Sequence, residues 1–445
     1  MDINGKKIAV VGIGVSNVSA ILYLLKHDIS ALTVFDTRKN PPRVDELPNG
    51  IAFHLGPLNA DLLKTYDMIV LSPGLSRYTP EIEQAEAAGT EVVGDVELFS
   101  REVKSPVIGI TGSNGKSTVT TLVGHMADNA GIKVAMGANI GNPVFDILSD
   151  EVELYVLELS SFELETTKSL YLRAGSILNV SEDHLDRYGG SMISYAMAKK
   201  RIYEHCETCV YNRDDHETWP EGHGLHNLSF GMNDQEYGRI VKGSQTYLAV
   251  NGEPVLSVAD LNIYGVHNEV NALAAMALAD AAGIDRGAQL RALRSFMGLP
   301  HRCQIVRTLH GVSFYNDSKA TNVASTEAAI RGLAPRHPEG IILLAGGLGK
   351  GQDFSPLKVY LGKEITNIFC FGRDAQKLLD LDRLRCHSVV NMRQGLHEAL
   401  GIARAGQAIL LSPACASFDQ FKGYEDRGRI FVSLVSGLDD EDSKR

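Results

Sequence analysis

One glycine-rich segment sets the architecture of this chain: VIGITGSNGKST, residues 107–118. Its first five residues are mostly apolar or β-branched and predict a buried strand. Gly112 and Gly115 then open a tight loop, and the residues from Val119 to Ala130 predict a helix. A strand, a glycine-rich loop and a helix in this order indicate an α/β domain with a parallel sheet.

The same loop carries a pattern typical of phosphate binding. Glycines let backbone N–H groups surround a polyanion, and the following helix adds its positive N-terminal end. Lys116 is expected to reach the β- and γ-phosphates, and the Ser117 hydroxyl to help hold Mg²⁺. The pattern departs from G-x-x-x-x-G-K-[ST], because Ile110 stands where the first glycine belongs. An ordinary strand-to-helix turn with a solvated lysine is the alternative.

Length and composition indicate a soluble globular protein of about three domains. The chain has 445 residues, of which 44% are hydrophobic and 22% charged. The formal net charge of −11 argues against general nucleic-acid or membrane-surface binding. No signal-like segment opens the sequence and no apolar run approaches a membrane span, so we expect a cytoplasmic protein. The six cysteines should then be reduced thiols, with Cys206-Glu-Thr-Cys209 the one metal-like spacing.

The N-terminal block predicts a Rossmann-like domain. A strand over residues 7–11, a Gly12-Ile-Gly14 turn and a helix from Val18 are followed by a second strand ending at Asp36. This is most of a dinucleotide fingerprint, but Asn17 occupies the place of its third glycine. Phosphate or nucleotide binding is therefore favoured over nicotinamide binding. A third strand ends in Ser72-Pro-Gly74, another ligand-facing turn.

Two strand ends after the phosphate loop carry metal-like residues. Glu158 lies in an apolar strand, where a charge is costly unless it is paired or bound to a metal, so it is a candidate Mg²⁺ ligand. An edge-strand glutamate facing water is the alternative. The next strand runs into a cluster that contains Asp183 and His184. Short alternating strands from about Cys209 to Gly265 predict an antiparallel layer.

The C-terminal block repeats the alternation of strands and helices and predicts a doubly wound domain. A boundary is expected near Gly298–Arg302. Three polar turns lie at predicted strand ends, over residues 317–321, 346–350 and 412–419. Before this block, Asn268 and Asn271 stand one turn apart on one face at the start of an alanine-rich helix. The simpler explanation of this pair is that polar residues at the start of a helix face solvent.

Together these segments resemble the Mur ligase family, the ATP-dependent amino-acid-adding enzymes of peptidoglycan synthesis. The motifs that carry the resemblance are residues 109–117, Glu158, 179–184, 267–271, His301-Arg302, 317–321 and 412–421. The resemblance implies an α/β fold of three domains: a Rossmann-like UDP-sugar domain over 1–95, a central P-loop-type ATPase domain with a small antiparallel layer over 96–299, and a doubly wound Rossmann-like domain over 300–445.

The resemblance further implies a reaction and its ligands. ATP phosphorylates the L-alanine carboxylate of UDP-N-acetylmuramoyl-L-alanine, and the amine of D-glutamate attacks the acyl phosphate. A tetrahedral intermediate then collapses, and ADP and phosphate leave. The implied cofactors are two Mg²⁺ ions, for which Mn²⁺ can substitute, and a CO₂-derived carbamate on Lys199. A monomer without nucleic-acid partners is expected.

Site roles are carried over from the resemblance position by position. The ATP contacts are Gly112, Ser113, Asn114, Gly115, Lys116, Ser117, Thr118, Asn268, Asn271, Arg302, Asp317 and Lys319. The UDP-sugar contacts are Val15, Ser16, Asp36, Thr37, Arg38, Ser72, Pro73, Gly74 and Asn139. The D-glutamate contacts are Thr321, Lys350, Ser417 and Tyr424. The metal ligands are Ser117, Glu158, His184 and carbamylated Lys199, and the catalytic set is Lys116, Lys199, His184, Glu158 and Asn139.

Two positions depart from the family pattern, and other functions remain open. Glu163 stands where glutamine is expected, and Tyr424 where phenylalanine is expected. The alternatives are a ligase for another amino acid, a folylpolyglutamate synthetase, a nicotinamide oxidoreductase and a non-catalytic nucleotide-binding regulator. The uridine-type first block argues against the folate enzyme, and the Gly-Lys-Ser loop is left unexplained by an oxidoreductase.

Overall fold

The computed structural model describes residues 3–181, 183–222, 224 and 226–438. Contacts group the chain into two compact units. The first unit runs to Asp260 and includes Val270–Ser295, and the second comprises Leu261–Glu269 and the chain from Phe296 onward.

A five-stranded parallel sheet of order β3-β2-β1-β4-β5 opens the first unit. Its strands are β1 (Lys7–Val11), β2 (Ala31–Asp36), β3 (Ala52–Leu55), β4 (Met68–Leu71) and β5 (Glu91–Val93). Its helices are α1 (Val15–Leu24), α2 (Ala60–Leu63), α3 (Pro80–Ala87) and α4 (Asp95–Ser100). In register, Ile8 pairs with Leu32 on one side and with Met68 on the other. Strand β1 is the central strand of this sheet. It is mostly apolar because helices cover both faces of a parallel sheet.

The second sheet of this unit has nine strands in the order β14-β13-β12-β11-β10-β9-β6-β8-β7. Its parallel strands are β6 (Val107–Thr111), β7 (Val134–Ala138), β8 (Leu154–Glu158), β9 (Leu172–Ile177), β10 (Cys206–Asn212) and β11 (His226–Phe230). Strands β12 (Tyr237–Lys242), β13 (Gln245–Val250) and β14 (Glu253–Ser257) extend it. Its helices are α5 (Lys116–Asn129), α6 (Val144–Ile147), α7 (Ser161–Glu165), α8 (Met192–Lys200) and α10 (Arg286–Ser295), together with the part of α9 (Val266–Ala281) from Val270 onward.

Two predictions about this sheet are corrected by the structure. The antiparallel layer comprises only β12 to β14, since β10 and β11 continue the parallel sheet. Helix α5 begins at Lys116, three residues before the predicted start, because Gly115 adopts the left-handed conformation that caps the helix. The phosphate-loop lysine and serine therefore belong to the first helical turn.

The second unit contains a six-stranded sheet of order β15-β16-β20-β17-β18-β19. Its strands are β15 (Gln304–Leu309), β16 (Val312–Asn316), β17 (Ile341–Gly346), β18 (Ile365–Phe371), β19 (Cys386–Ser388) and β20 (Ala408–Leu411). Its helices are α11 (Val323–Leu333), α12 (Ala375–Leu379), α13 (Met392–Ile402) and α14 (Tyr424–Ser436). Only the edge strand β15 is antiparallel to its neighbour. The carboxyl ends of the parallel strands consequently lie along one edge.

These three sheets confirm the predicted α/β fold class. The boundaries at 95/96 and 299/300 stay predictions. Among the described residues, no helix is both long enough and apolar enough to cross a membrane.

Candidate functional site

The phosphate loop is shaped by two glycines with positive φ. Gly112 has φ +146° and Gly115 has φ +85°. A Cβ atom on Gly115 would lie 2.5 Å from Asn271 Oδ1, so the close approach of helix α9 also requires glycine here. Lys116 Nζ donates to the carbonyl oxygens of Gly112 at 2.7 Å and Ser113 at 3.1 Å. The lysine head is thus held over its own loop, where an incoming phosphate would meet it.

Asn179, which follows β9, supports this loop from the neighbouring strand. Its Oδ1 accepts from Asn114 N at 2.8 Å, its Nδ2 donates to Asn114 O at 3.0 Å, and its carbonyl accepts from Ser113 N at 2.9 Å. The sequence placed Asn179 in a motif without a stated role. These three hydrogen bonds fix the loop before any ligand arrives, which lowers the entropy cost of binding.

Glu158 ends β8, which lies between β6 and β7, so the edge-strand alternative is wrong. The residue is 3% exposed, and its Oε1 accepts from Asn139 Nδ2 at 2.7 Å. Its Oε2 is buried and has no hydrogen-bond partner in the described part of the chain. A buried carboxylate oxygen left without a donor is costly, and a hard cation satisfies it. Glu158 therefore fits Mg²⁺, with Asn139 orienting the carboxylate.

Lys199, on helix α8, is buried beneath the same loop. It is 2% exposed, and its Nζ donates to Gly112 O at 3.2 Å and lies 4.4 Å from the centre of the Tyr195 ring. Burial and the positive charge of Lys116 lower the pKa of Lys199 to about 7. By its sequence alone, a lysine in the run Lys199-Lys-Arg201 is expected at the surface. Tertiary packing buries this face of the helix instead, which sequence-local reasoning does not reveal.

His184 lies in the loop after β9 with φ +50°. Its side chain is 56% exposed, its Nε2 lies 3.6 Å from Asp183 Oδ2, and its ring packs edge-on against Phe162. Within the described residues, no three His, Cys, Asp or Glu side chains converge to form a metal cage.

Glu163, the departure from the family pattern, forms the capping box of α7. Its Oε2 accepts from both the backbone N and the hydroxyl of Ser160, each at 2.7 Å. Burial, the nearby carboxyl of Asp95 and the charge of Glu158 raise the pKa of Glu163 to about 8. A protonated carboxylic acid resembles glutamine in charge and shape. This chain therefore keeps a neutral group at neutral pH at the position where an amide was expected from the resemblance.

The predicted UDP-sugar residues other than Asn139, which follows β7, lie at or just beyond the carboxyl ends of β1, β2 and β4. A Cβ atom on Gly12 would lie 2.8 Å from Ser72 Cβ, so the turns after β1 and β4 are in contact. Asp36, 1% exposed, accepts from Ile13 N at 2.8 Å and from Arg38 Nε at 2.8 Å. Burial alone would raise the pKa of Asp36, but the hydrogen bonds from Arg38 and Ile13 bring it below its usual range.

Asn17 has a structural role that the fingerprint comparison missed. It is fully buried, and its Nδ2 donates to Val11 O at 3.1 Å and Gly12 O at 2.9 Å. Its amide binds the glycine turn internally, in the place where a dinucleotide fingerprint has its third glycine. An asparagine among small and apolar residues near the start of a predicted helix is the sequence signal that could have indicated this role, because a buried polar group needs a hydrogen-bond partner.

In the second unit, Asp317 follows β16 and is buried among neutral partners. Its Oδ2 accepts from Ser412 Oγ at 2.7 Å and its Oδ1 from Cys303 N at 3.0 Å. Burial raises the pKa of Asp317 to about 7, against the hydrogen bonds from Ser412 and Cys303. Lys319 Nζ lies 4.0 Å from the centre of the Tyr424 ring.

Three loops of this unit carry three of the four predicted D-glutamate residues, and Gln352 connects these loops; the fourth, Tyr424, begins helix α14. Its Nε2 lies within hydrogen-bond distance of the carbonyl oxygens of Thr321, Gly349 and Ala414, at 3.4, 3.1 and 3.4 Å. Leu348 and Ala416 add a pair of backbone hydrogen bonds. The loops bearing Thr321, Lys350 and Ser417 are therefore brought together, while Gln352 itself was missed by sequence reasoning.

Comparison with known families matches three domain models in chain order. They are the Mur ligase MurD-like N-terminal domain over residues 6–94, the Mur ligase middle domain over 110–279 and the Mur ligase glutamate ligase domain over 301–415. The UDP-N-acetylmuramoylalanine–D-glutamate ligase of Escherichia coli (strain K12) is 48% identical over 439 residues, covering 98% of this chain and 99% of that protein. The protein of the same name from Pectobacterium atrosepticum is 48% identical over 440 residues, covering 98% of this chain and 100% of that protein.

Solved structures show the same fold at low identity. The UDP-N-acetylmuramate–alanine ligase of Thermotoga maritima has a TM-score of 0.60 at 19% identity, covering 97% of this chain and 99% of that chain. A UDP-N-acetylmuramoylalanyl-D-glutamyl-2,6-diaminopimelate–D-alanyl-D-alanyl ligase of Acinetobacter baumannii has a TM-score of 0.60 at 16% identity, covering 85% of this chain and 92% of that chain. With three domain models matched in order and relatives nearly half identical from end to end, the chain belongs to the Mur ligase family.

Proposed function

We propose that this chain joins D-glutamate to UDP-N-acetylmuramoyl-L-alanine with hydrolysis of ATP to ADP and phosphate, a step of peptidoglycan precursor synthesis. The names of its close relatives support the substrates. The observation that carries the proposal is the rigid phosphate loop beside Glu158, whose Oε2 is buried without a partner among the described residues.

The proposed reaction is mostly positioning and charge neutralisation. Lys116 and the first turn of α5 bind the phosphates of ATP while the L-alanine carboxylate is phosphorylated. The D-glutamate amine then attacks the acyl phosphate, and the tetrahedral intermediate expels phosphate. Ser117, Glu158 and His184 would hold Mg²⁺, which neutralises phosphate charge when bound, and Mn²⁺ can take its place.

For Lys199 we propose carbamylation by CO₂. The neutral amine is the form that reacts, and burial makes that form abundant near pH 7 because the pKa of Lys199 falls to about 7. The product is an anion beside Lys116 that could support a second Mg²⁺. Replacement of Lys199 by alanine should abolish activity, and short-chain carboxylic acids should partly restore it. Absence of rescue at any concentration would count against the carbamate.

The proposed D-glutamate site uses Lys350 as the cation, with the hydroxyls of Thr321, Ser417 and Tyr424 as donors. A dicarboxylate needs a charged donor and several neutral ones. Lys350 is exposed and has φ +50°, so its position depends on the turn after β17. Tyr424 stands where the resemblance leads us to expect phenylalanine, and it adds a hydroxyl donor to the set.

Phosphate release from Mg-ATP and UDP-N-acetylmuramoyl-L-alanine tests the proposal. D-glutamate, L-glutamate and meso-diaminopimelate are compared, and a new amide product is sought by mass spectrometry. Release only with D-glutamate is expected, and Lys116→Ala should abolish it. Release with a different amino acid would keep the ligase but overturn the assigned substrate. No release with any of them would return the chain to the class of nucleotide-binding regulators.

A further inference from the structure

Arg427, on helix α14, is the largest side chain that the second unit buries completely. It is 0% exposed. Its Nε donates to Ser318 Oγ at 3.0 Å and one terminal nitrogen to Ser318 O at 2.8 Å, while both terminal nitrogens donate to Cys415 O at 3.1 Å. One guanidinium therefore joins the loop after β16 to the loop after β20.

The charge of Arg427 has only neutral direct partners. None of the ion pairs between described residues includes it; Asp317 and Asp419 act on it only at longer range. Burial of a guanidinium among carbonyl oxygens is expensive, and a neutral side chain of similar size would avoid that cost. The planar fork of arginine, however, presents several donors in a fixed geometry, so that one side chain holds two separate carbonyl groups at a set spacing.

The two loops that Arg427 joins bear residues of the proposed amino-acid site. Ser318 lies three residues before Thr321, and Cys415 lies two residues before Ser417. The Ser318 hydroxyl also donates to Tyr424 O at 2.8 Å, which ties the start of α14 to the same point. Thr321, Ser417 and Tyr424 are thus carried by segments that meet at one buried guanidinium.

We propose that Arg427 is a positioning residue for the amino-acid substrate, because it fixes the spacing of the loops that carry Thr321, Ser417 and Tyr424. The inference rests on the proposed function, in which these side chains receive the D-glutamate carboxylate. Arg427 itself stays behind the loops, since it is fully buried and its hydrogen-bond partners are backbone and hydroxyl oxygens.

The test is a comparison of Michaelis constants in the full-length enzyme. Arg427→Lys keeps the charge but replaces the planar fork by a single nitrogen with three N–H groups, which cannot reproduce the four hydrogen bonds of Arg427 to Ser318 and Cys415. Ser318→Ala removes the hydroxyl that Arg427 and Tyr424 share. For Arg427→Lys we expect the KM for D-glutamate to rise at least about tenfold, as misplaced binding groups would cause. The KM values for ATP and the UDP-sugar should stay within about twofold. Ser318→Ala should change the same constant in the same direction by a smaller factor.

Arg307→Met is the matched control, because Arg307 also donates to a backbone carbonyl of this unit, Leu438 O at 2.6 Å, away from both loops. Its D-glutamate KM should equal that of the wild type. Unchanged D-glutamate KM in both Arg427→Lys and Ser318→Ala, or equal rises for all three substrates, would overturn the proposal. Should Arg427→Lys not fold, Ser318→Ala decides alone. A wild-type enzyme that releases no phosphate with D-glutamate would refute the proposed function instead.

Discussion

Replacement of Asp317 by asparagine should stabilise this protein while it impairs ATP use. Asp317 is buried, and burial raises its pKa to about 7. Asparagine fits the same contacts: its oxygen can accept from Cys303 N, and its amide can donate to Ser412 Oγ. The Ser412 hydroxyl already lies 3.1 Å from Thr326 Oγ1 and can donate there instead.

The magnitude follows from the pKa shift. A carboxyl whose pKa rises from 3.8 in the unfolded chain to about 7 in the folded one stays protonated on folding between these values. The unfolded chain then releases the proton first, so stability falls as pH rises from about 4 to about 7 and is constant above that. At about 1.4 kcal/mol per pKa unit, the free energy of unfolding of Asp317→Asn should exceed that of the wild type by roughly 4 kcal/mol at pH 8 and by almost nothing at pH 4.

Urea unfolding followed by circular dichroism at pH 4, 6 and 8 measures this difference. Asp382→Asn is the control, because hydrogen bonds from Leu384 and Arg385 lower the pKa of Asp382. A lowered pKa contributes stability above the unfolded value, so that variant should lose stability at neutral pH. If Asp317→Asn is no more stable than wild type at pH 8, or if its gain does not depend on pH, the reasoning is refuted. Its KM for ATP should rise if Asp317 contacts the nucleotide.

Three further outcomes are expected. Glu163→Gln should raise the free energy of unfolding by about 3 kcal/mol at pH 7 but not near pH 4.5, since burial raises the pKa of Glu163 from 4.5 to about 8. Unfolding is followed by the fluorescence of Trp219, and the control Glu83→Gln, at an exposed residue, should not raise the free energy of unfolding. Asn17→Gly should lower the free energy of unfolding, measured in urea, by about 2–4 kcal/mol, because two buried carbonyls lose their amide donor and a helix gains a glycine. The variant should still not bind NADH, as measured by NADH fluorescence; tight binding would contradict the structural role of Asn17 in the glycine turn. Glu158→Gln should leave the apo fold at least as stable but reduce Mg²⁺-dependent phosphate release by about 100-fold or more; retained activity would exclude Glu158 as a metal ligand.

The sequence by itself determined the fold class and the phosphate loop. Both are encoded locally: β-branched runs form the buried strands, and Gly112, Gly115 and Lys116 stand within five residues of one another. Local patterns of this kind depend on backbone conformation and on helix-end electrostatics, which neighbouring residues already fix. The resemblance to a family then supplied candidate roles, which the geometry makes testable.

The tertiary structure alone decided what environment each of these residues has. Lys199 is a buried amine, the amide of Asn17 donates to carbonyl oxygens of the glycine turn, and Asp317 stays protonated to about pH 7. Arg427 reached Ser318, 109 positions away in the chain, and Gln352 drew together three separate loops. Burial and hydrogen bonding between distant residues change the free energy of a charge by several kcal/mol, and a linear pattern carries no information about which distant partner supplies them.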